Sequence, residues 1–202
     1  MSPTLGAVLQ ALRLRLAGRA GPLLAALDGR SGAGKSTLAA RLAEALPSAV
    51  TVPGDDFYAA HIPAAEWDAH SPEWRAAEAI DWRRLRAEAL EPLLAGRPAQ
   101  WRPFDFERPR PDGTYPLRAR PEVRDPAQVI ILEGAYSSRL ELLDLIGLAV
   151  LVDASSAVRH ARLAAREEPG FLAEWHARWD AAEAYYFTVV RPPGKFDLVV
   201  SL

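Results

Sequence analysis

The chain has 202 residues, half of them hydrophobic and a quarter charged, which is enough to bury a globular core and excludes a disordered chain. Its net charge of −2 gives no reason to expect nucleic acid or an anionic membrane as the main partner. The absence of cysteine excludes disulfides, thiolate metal sites and a catalytic thiol.

Near its start the chain has an apolar segment, residues 5–16, whose apolar positions repeat with helical spacing and predict an amphipathic helix. Arg13 and Arg15 interrupt this segment, so it lacks the continuous apolar core of a signal peptide. No run of about 18 apolar residues without charge occurs, so no transmembrane helix is predicted. The expected location is therefore the cytoplasm, with no membrane contact.

The first half of the chain then alternates short apolar runs with helical segments. The predicted elements are a buried strand at 23–27, a glycine-rich turn at 29–34, a helix at 35–46, a strand at 49–52, a loop at 53–58, loop and short helix at 59–79, and a helix at 81–94. Pro47 ends the helix before it, Asp81 is placed to cap the helix after it, and Gly96 stops that helix.

The second half continues the alternation. The predicted elements are an extended segment at 100–106, an irregular excursion or short hairpin at 109–126, a strand at 129–132, a helix at 140–145, a strand at 149–152, a helix at 155–167, a break at 169–170, a helix at 171–189 and a strand at 198–200. Strands that alternate with helices predict a doubly wound α/β fold, with a mostly parallel sheet and helices on both faces. No internal repeat or linker is visible, so residues 1–202 are predicted to form one domain with a short helical lid at roughly 159–175.

The glycine-rich turn fits the pattern G-x-x-x-x-G-K-S/T, which wraps the phosphates of a nucleoside triphosphate. Its residues are Gly29, Arg30, Ser31, Gly32, Ala33, Gly34, Lys35 and Ser36, followed by Thr37. Glycines let backbone N–H groups converge on phosphate oxygens, and the following helix turns its N-terminal N–H groups to the same anion. In this pattern Lys35 bridges the β- and γ-phosphates and Ser36 gives its hydroxyl to Mg²⁺. The pattern follows a short apolar strand and opens a helix, as the motif requires, which favours it over a chance glycine-rich turn. The sequence therefore predicts a P-loop NTPase fold that binds ATP with Mg²⁺.

Acidic residues follow two of the predicted strands. Glu133 ends the strand at 129–132, where its carboxylate can hold a water of the Mg²⁺ shell or can simply cap a strand at the surface. Asp55 and Asp56 follow the strand at 49–52, and ligands bind beyond the carboxyl ends of parallel strands. A carboxylate there can accept the proton of a hydroxyl that attacks the γ-phosphate. An ordinary acidic turn is the alternative.

Taken together, residues 23–200 resemble the uridine kinase family, within the wider group that includes phosphoribulokinase and pantothenate kinase. Besides the P-loop, the segment Asp55-Asp56-Phe57-Tyr58 is similar to the family's Asp-Ser-Phe-Tyr segment. The strand end at 131–134, with the sequence Ile-Leu-Glu-Gly, is similar to its Phe-Glu-Gly element. The resemblance implies that Asp55 is the catalytic base and helps Ser36 and Glu133 to order Mg²⁺.

Two other segments resemble the elements with which the family binds its phosphate acceptor. Ile80-Asp81-Trp82 resembles the element whose aspartate holds ribose hydroxyls, and Phe104-Asp105-Phe106 resembles one whose aromatic rings pack on the nucleobase. Asp81, Tyr58, Phe104 and Phe106 are therefore expected to shape the acceptor pocket. Arg108 stands near the place of the family's base-reading histidine and is predicted to contact the acceptor. Residues 73–79 differ from the corresponding family segment, and the family's base-reading histidine is missing. The resemblance therefore supports the phosphoryl-transfer residues better than it supports the family's acceptor specificity.

Three arginines of the helix at 155–167 have the spacing of the family's lid arginines. The resemblance implies that Arg159 holds the nucleotide phosphates and that Arg162 and Arg166 act in catalysis, where they spread developing charge and exclude water. A solvated helix face would show the same spacing. Trp175 and Trp179 share a helix face that is typical of core packing. The histidines show no metal-ligand spacing; they are His61, His70, His160 and His176.

The sequence therefore predicts an ATP- and Mg²⁺-dependent kinase that phosphorylates a hydroxyl of a small molecule, with a nucleoside as the leading acceptor. The alternatives are a nicotinamide riboside, a sugar, a pantothenate-like alcohol or an antibiotic as acceptor, or an acceptor-free ATPase or nucleotide switch. The chain lacks the Asn-Lys-x-Asp segment of GTPases and the Leu-Ser-Gly-Gly signature of transporter ATPases. A homo-oligomer is left open, and no nucleic-acid partner is expected.

Overall fold

Parallel strands form the central sheet of the protein, in a computed structural model that describes residues 2–166 and 169–202. The strands of this sheet are β1 Leu23–Asp28, β2 Ala49–Pro53, β5 Val129–Glu133, β6 Ile146–Asp153 and β7 Leu198–Ser201. They lie in the order β2-β5-β1-β6-β7, and each neighbouring pair is parallel. Parallel neighbours need crossover connections, which the helices between the strands supply.

Helices cover both faces of this sheet. They are α1 Pro3–Leu16, α2 Lys35–Ala45, α3 Ala64–Ala69, α4 Pro72–Glu78, α5 Trp82–Arg84, α6 Glu91–Leu94, α7 Ser156–Ala164 and α8 Pro169–Tyr185. A π-helical segment, Leu85–Leu90, joins α5 to α6, and a second one, Tyr186–Val190, continues α8. The predicted doubly wound α/β fold is confirmed. Of the described helices, none has both the length and the apolar character that crossing a bilayer requires.

A small hairpin lies outside the main sheet. β3 (Ala99–Trp101) pairs antiparallel with β4 (Glu122–Arg124), so part of the predicted irregular excursion returns as a strand. The predicted extended segment at 100–106 holds only at its start, because Phe104 makes a single bridge to Leu117 instead of continuing β3.

Two predicted helix limits are wrong. Only a 3₁₀ turn, Leu140–Leu142, forms in place of the helix at 140–145, and β6 begins soon after it at Ile146. The predicted break at 169–170 is in fact the first turn of α8, where proline is well tolerated because its missing N–H would be unpaired. The predicted lid thus corresponds to α7 and the first half of α8, and its residues 167 and 168 lie outside the described part of the chain.

The central strands are buried on both sides. Successive side chains of β5 alternate between two cores. Val129 and Ile131 face the core against α1 and α2, while Ile130 and Leu132 face the core against α3, α4, the π-helical segment Leu85–Leu90, α6 and α8. All four are at most 1% exposed, and each fully buried aliphatic side chain stabilises the fold by about 1.5–3 kcal/mol. Burial on both faces explains why β5 is a continuous apolar run.

The register brings the carboxyl ends of the strands to one edge of the sheet. Glu133, the last residue of β5, pairs with Leu27 of β1 and with Pro53 of β2. The segments that leave these ends therefore start close together: the glycine-rich loop after β1, the 3₁₀ turn Gly54–Phe57 after β2 and Gly134 after β5. This edge is where open parallel sheets bind their ligands.

Candidate active site

The loop between β1 and α2 has the backbone of a phosphate cradle. Gly29, Gly32 and Gly34 have φ values of 152°, 76° and 98°, in the region that glycine favours. Gly34 is the N-cap residue of α2 and has no side chain with which to cap it. The first N–H groups of α2 are therefore left for an anion, as the P-loop pattern predicts.

Gly29→Ala is expected to abolish measurable ATP binding, because the new Cβ would lie 2.2 Å from the carbonyl oxygen of Val152 and would force the loop out of place. Calorimetric titration with ATP and Mg²⁺, alongside a melting curve, measures the effect. Gly21→Ala is the matched control, since a Cβ there meets no described atom within 4 Å. Wild-type ATP affinity in Gly29→Ala would contradict the placement of the cradle.

The phosphate cleft opens in front of this loop. Its lining residues are Ser31, Gly32, Gly34, Lys35, Ser36, Thr37, Asp55, Tyr58, Glu133, Ala135, Arg162 and Arg166. Lys35 is only 9% exposed, and its Nζ donates a hydrogen bond of 3.1 Å to the carbonyl oxygen of Arg30. Most of the side chains that are predicted to bind phosphate, to hold the metal or to act in catalysis thus line this cleft.

Ser36 and Glu133 meet at the metal side of the cleft. The Ser36 hydroxyl donates a hydrogen bond of 3.1 Å to Oε2 of Glu133. Burial raises the pKa of the Glu133 carboxyl, the nearby Asp55 adds to the rise, and Lys35 and Ser36 oppose it. A hydroxyl and one or two carboxylates are the donors with which proteins hold Mg²⁺ together with its waters. The residues present therefore fit the predicted ion.

Asp55 and Asp56 have different surroundings. Asp55 is exposed to the cleft, and desolvation by the protein around the cleft raises its pKa, against the lowering effect of the Lys35 and Arg166 charges. Asp56 is bonded elsewhere, because its Oδ2 accepts a hydrogen bond of 2.8 Å from the indole of Trp101. Asp55 is thus the aspartate of this pair that lines the phosphate cleft.

The arginines of α7 contact the cradle itself. Arg159 is 7% exposed and donates to the carbonyl oxygen of Ser31 at 3.2 Å. Arg162 donates to the carbonyl oxygens of Gly32 and Ala33 at 3.2 and 3.1 Å. Arg162 lines the cleft, whereas Arg159 is not among the described lining residues. The geometry therefore gives Arg159 a role in supporting the loop, and its predicted contact with phosphate stays a prediction.

Sequence reasoning missed Glu183 of α8. This carboxylate is 3% exposed and accepts hydrogen bonds from Ser31, at 3.1 and 3.2 Å from the backbone N–H and at 2.5 Å from the hydroxyl. Burial raises its pKa, and the Ser31 bonds and the Lys35 charge oppose the rise. Only the packing of α8 against the loop reveals this contact.

Asp28, the last residue of β1, was also missed. It is fully buried, and its carboxylate accepts hydrogen bonds from the N–H of Gly29 at 2.8 Å and from the hydroxyl of Tyr186 at 2.9 Å. The N–H and hydroxyl of Ser138 also donate to it, at 2.9 and 2.6 Å. A buried carboxylate costs stability unless it is well bonded. Asp28 therefore ties the start of the cradle to the π-helical segment that continues α8 and to the segment after β5. Its position directly before Gly29 is the one sequence signal.

An aromatic pocket adjoins the cleft. Its lining residues are Tyr58, Ala59, Ile62, Ala64, Trp67, Phe104, Phe106, Tyr115, Arg178 and Trp179. The Tyr58 ring lies 5.8 Å from that of Phe104 and 5.5 Å from that of Phe106. Trp179, predicted as a core residue, is buried and also forms a wall of this pocket, 6.1 Å from Tyr58.

Asp81 and Arg108 are predicted to contact the acceptor, but the structure places both outside the described linings of the two cavities. Asp81 caps α5 by accepting a hydrogen bond of 3.1 Å from the N–H of Arg84, as its N-cap position predicts. The Arg108 side chain is 79% exposed and lies 3.8 Å from Asp105. Neither occurs among the described residues that line the cleft or the aromatic pocket. Their contacts with the acceptor therefore stay predictions.

A parallel sheet with a phosphate cradle after its central strand and acidic groups at the same edge defines the P-loop class of nucleotide-binding proteins. The family model described as "Phosphoribulokinase / Uridine kinase family" matches residues 24–169, and the chain belongs to this family. It is therefore a kinase, and the resemblance predicted from the sequence is confirmed. Membership implies the use of ATP, usually with Mg²⁺. A search of curated proteins gives no match.

Solved structures agree with this assignment. A candidate fructose transport system kinase from Silicibacter sp. TM1040 is 26% identical with a TM-score of 0.71, over 98% of this chain and 100% of the other. A candidate uridine kinase from Bacillus stearothermophilus is 22% identical with a TM-score of 0.64, over 95% and 100%. D-glycerate 3-kinase from Cryptococcus neoformans is 15% identical with a TM-score of 0.63, over 91% and 90%. The last two likenesses concern the fold alone.

Proposed function

We propose that the protein transfers the γ-phosphate of ATP to a hydroxyl of a small molecule held in the aromatic pocket, and that this acceptor is a nucleoside. The observation that carries the proposal is the position of Tyr58, which lines both the phosphate cleft and the aromatic pocket. Phosphoryl transfer requires the two reactants side by side in a fixed orientation. Two cavities that share one wall supply this arrangement.

Each group in the cleft has a task in this mechanism. The glycine-rich loop and Lys35 hold the phosphates, and Ser36 and Glu133 would hold Mg²⁺, which would neutralise phosphate charge. Asp55 accepts the proton of the attacking hydroxyl. Arg162 and Arg166 balance the charge that develops on the transferred group, which fixed charges do best in a cleft with little water.

The pocket lining favours an acceptor with a flat or apolar part. Stacking of a base on an aromatic ring is worth about 1–3 kcal/mol, and Phe104, Phe106 and Tyr115 offer such rings. A sugar is the second candidate, since the 26% identical neighbour is described as a candidate fructose transport system kinase. An acceptor-free ATPase would have no use for a second cavity beside its phosphate cleft.

The test is ADP release from ATP and Mg²⁺ across a panel of nucleosides, nicotinamide riboside, sugars, pantothenate-like alcohols and antibiotics, with Lys35→Ala as the blank. Turnover with one nucleoside supports the whole proposal. Turnover with a sugar or another alcohol keeps the transfer and rejects the nucleoside. Hydrolysis that no acceptor changes would reject the transfer.

Phe106→Ala is expected to raise the KM for the acceptor found in that panel about tenfold, which corresponds to about 1.4 kcal/mol of lost stacking. The KM for ATP should change less than about twofold, because Phe106 does not line the phosphate cleft as described. Its ring is 45% exposed, so the fold loses little. Leu14→Ala, on α1, removes another exposed apolar side chain as a control. An unchanged acceptor KM in Phe106→Ala would place the acceptor elsewhere.

A further inference from the structure

Potential metal ligands from two helices meet beside the cradle. His160 lies on α7, and His176 and Asp180 lie on α8, one turn apart on the same helix face. One ligand atom from each of the three residues can be chosen so that all lie within 4.8 Å of one another. The sequence shows no metal-ligand spacing for these histidines, because only the packing of α7 against α8 brings His160 to the other two.

The geometry of the cluster suits an ion that enters from solvent. Nδ1 of His176 lies 3.0 Å from both carboxylate oxygens of Asp180, and the two imidazole rings lie 4.8 Å apart at 66°. His160 is exposed, and the side chains of His176 and Asp180 are 30% and 46% exposed. An ion can therefore reach all three ligands without opening the core.

The ligand chemistry selects the kind of ion. Two imidazole nitrogens and one carboxylate oxygen, with a water in a fourth place, form a common set around Zn²⁺, at about 2.0–2.2 Å from the metal. Tetrahedral ligand atoms at such distances lie about 3.3 Å apart, so the most distant pair must approach by about 1.5 Å when the ion binds. Mg²⁺ prefers oxygen ligands, so this cluster is separate in chemistry from the Ser36–Glu133 pair.

We propose that His160, His176 and Asp180 bind one first-row transition-metal ion, with Zn²⁺ as the ion that the ligand set fits best. The ion ties α7 to α8, and both helices hold the cradle. Arg159 and Arg162 of α7 bond its carbonyl oxygens, and Glu183 of α8 bonds Ser31. Zinc binding would thus fix the two helices that support the phosphate loop.

The experiment uses the full chain without a histidine tag, freed of metal with a chelator and titrated with Zn²⁺ by calorimetry in excess Mg²⁺. One Zn²⁺ per chain is expected. The melting temperature should rise by about 5 °C or more when free Zn²⁺ exceeds its dissociation constant a hundredfold. Co²⁺ in the same place should give the visible absorption of a four-coordinate ion.

Single substitutions locate the ion. His160→Ala and His176→Ala should each abolish the one-to-one binding and the thermal shift, while a far-UV spectrum checks that the exposed His160→Ala variant is folded. His61→Ala, which removes an exposed histidine outside the cluster, should bind as the wild type does. Glu133→Gln, which removes a carboxylate from the phosphate cleft, should also keep the zinc. The proposal is overturned if the wild type binds no zinc, if His160→Ala binds it unchanged, or if Glu133→Gln loses it.

Discussion

Replacing Asp55 with asparagine is expected to lower kcat by at least about a hundredfold, the usual contribution of a general base. The amide keeps the size of the side chain but cannot take up the proton of the attacking hydroxyl. Asp55 lies in the phosphate cleft together with Lys35 and Glu133, so its carboxylate faces the space that the γ-phosphate would occupy. Initial rates at saturating ATP and acceptor measure the change, and the KM for ATP should stay within severalfold of its wild-type value.

The role of Asp55 as general base also determines how kcat/KM depends on pH. Desolvation by the protein around the cleft raises the pKa of Asp55 above its ordinary value of 3.8, and the Lys35 and Arg166 charges oppose the rise. A carboxyl acts as a base only when it is ionised, so kcat/KM should increase with pH through this raised pKa and fall below it. The acidic limb of the profile should therefore have a midpoint above 3.8, and Asp55→Asn should lose the part of the limb that Asp55 supplies.

Asp56→Asn is the matched control for this base. Its carboxylate accepts the indole N–H of Trp101, which is 2% exposed, so the change acts on the fold. A weakened buried hydrogen bond costs about 1–3 kcal/mol, which a melting curve detects. Turnover should stay close to that of the wild type. If Asp55→Asn turned over normally while Asp56→Asn did not, the two assignments would have to be exchanged.

The fold and the site are most predictable from the sequence where local structure restricts the type of residue. Strand β5 is recognisable because a strand buried on both faces favours a continuous run of apolar side chains. The cradle is recognisable because its backbone needs glycine, and a Cβ at Gly32 would lie 2.6 Å from the carbonyl oxygen of Arg159. The helix predicted at 140–145 was wrong: apolar spacing over six residues fits a helix, but it does not distinguish one from the 3₁₀ turn that forms at Leu140–Leu142.

The parts of the site that the sequence missed depend on contacts between distant segments. Glu183 reaches Ser31 only because α8 packs across the cradle, and in the sequence it is one acid among many. Trp179 has the periodicity of a core residue, and it does pack in the core, but the same burial makes it a pocket wall. His160 and His176 likewise meet only because α7 packs against α8, and the spacing of residues along the chain does not reveal which helices pack together.

Lys35→Ala is expected to abolish measurable phosphoryl transfer, a loss of at least about a thousandfold. Lys35 is buried at the start of α2, where its ammonium is a fixed positive charge in the cleft. It also lowers the pKa of Asp55, Glu133 and Glu183 against their burial. Its loss therefore removes a phosphate contact and leaves these carboxyls more easily protonated, so the remaining activity should shift to higher pH.

Lys195→Ala is the control for Lys35→Ala, because Lys195 is the other lysine of the sequence, is exposed, and should leave turnover unchanged. ADP release with the acceptor found in the panel measures both variants, and titration with ATP separates weaker binding from slower transfer. An interaction made only in the transition state lowers kcat and kcat/KM equally, whereas one made with bound ATP raises KM. Lys35→Ala that kept more than about a tenth of the wild-type kcat would mean that the γ-phosphate lies away from this cradle, because a buried charge in contact with the transferred group cannot be lost at so small a cost.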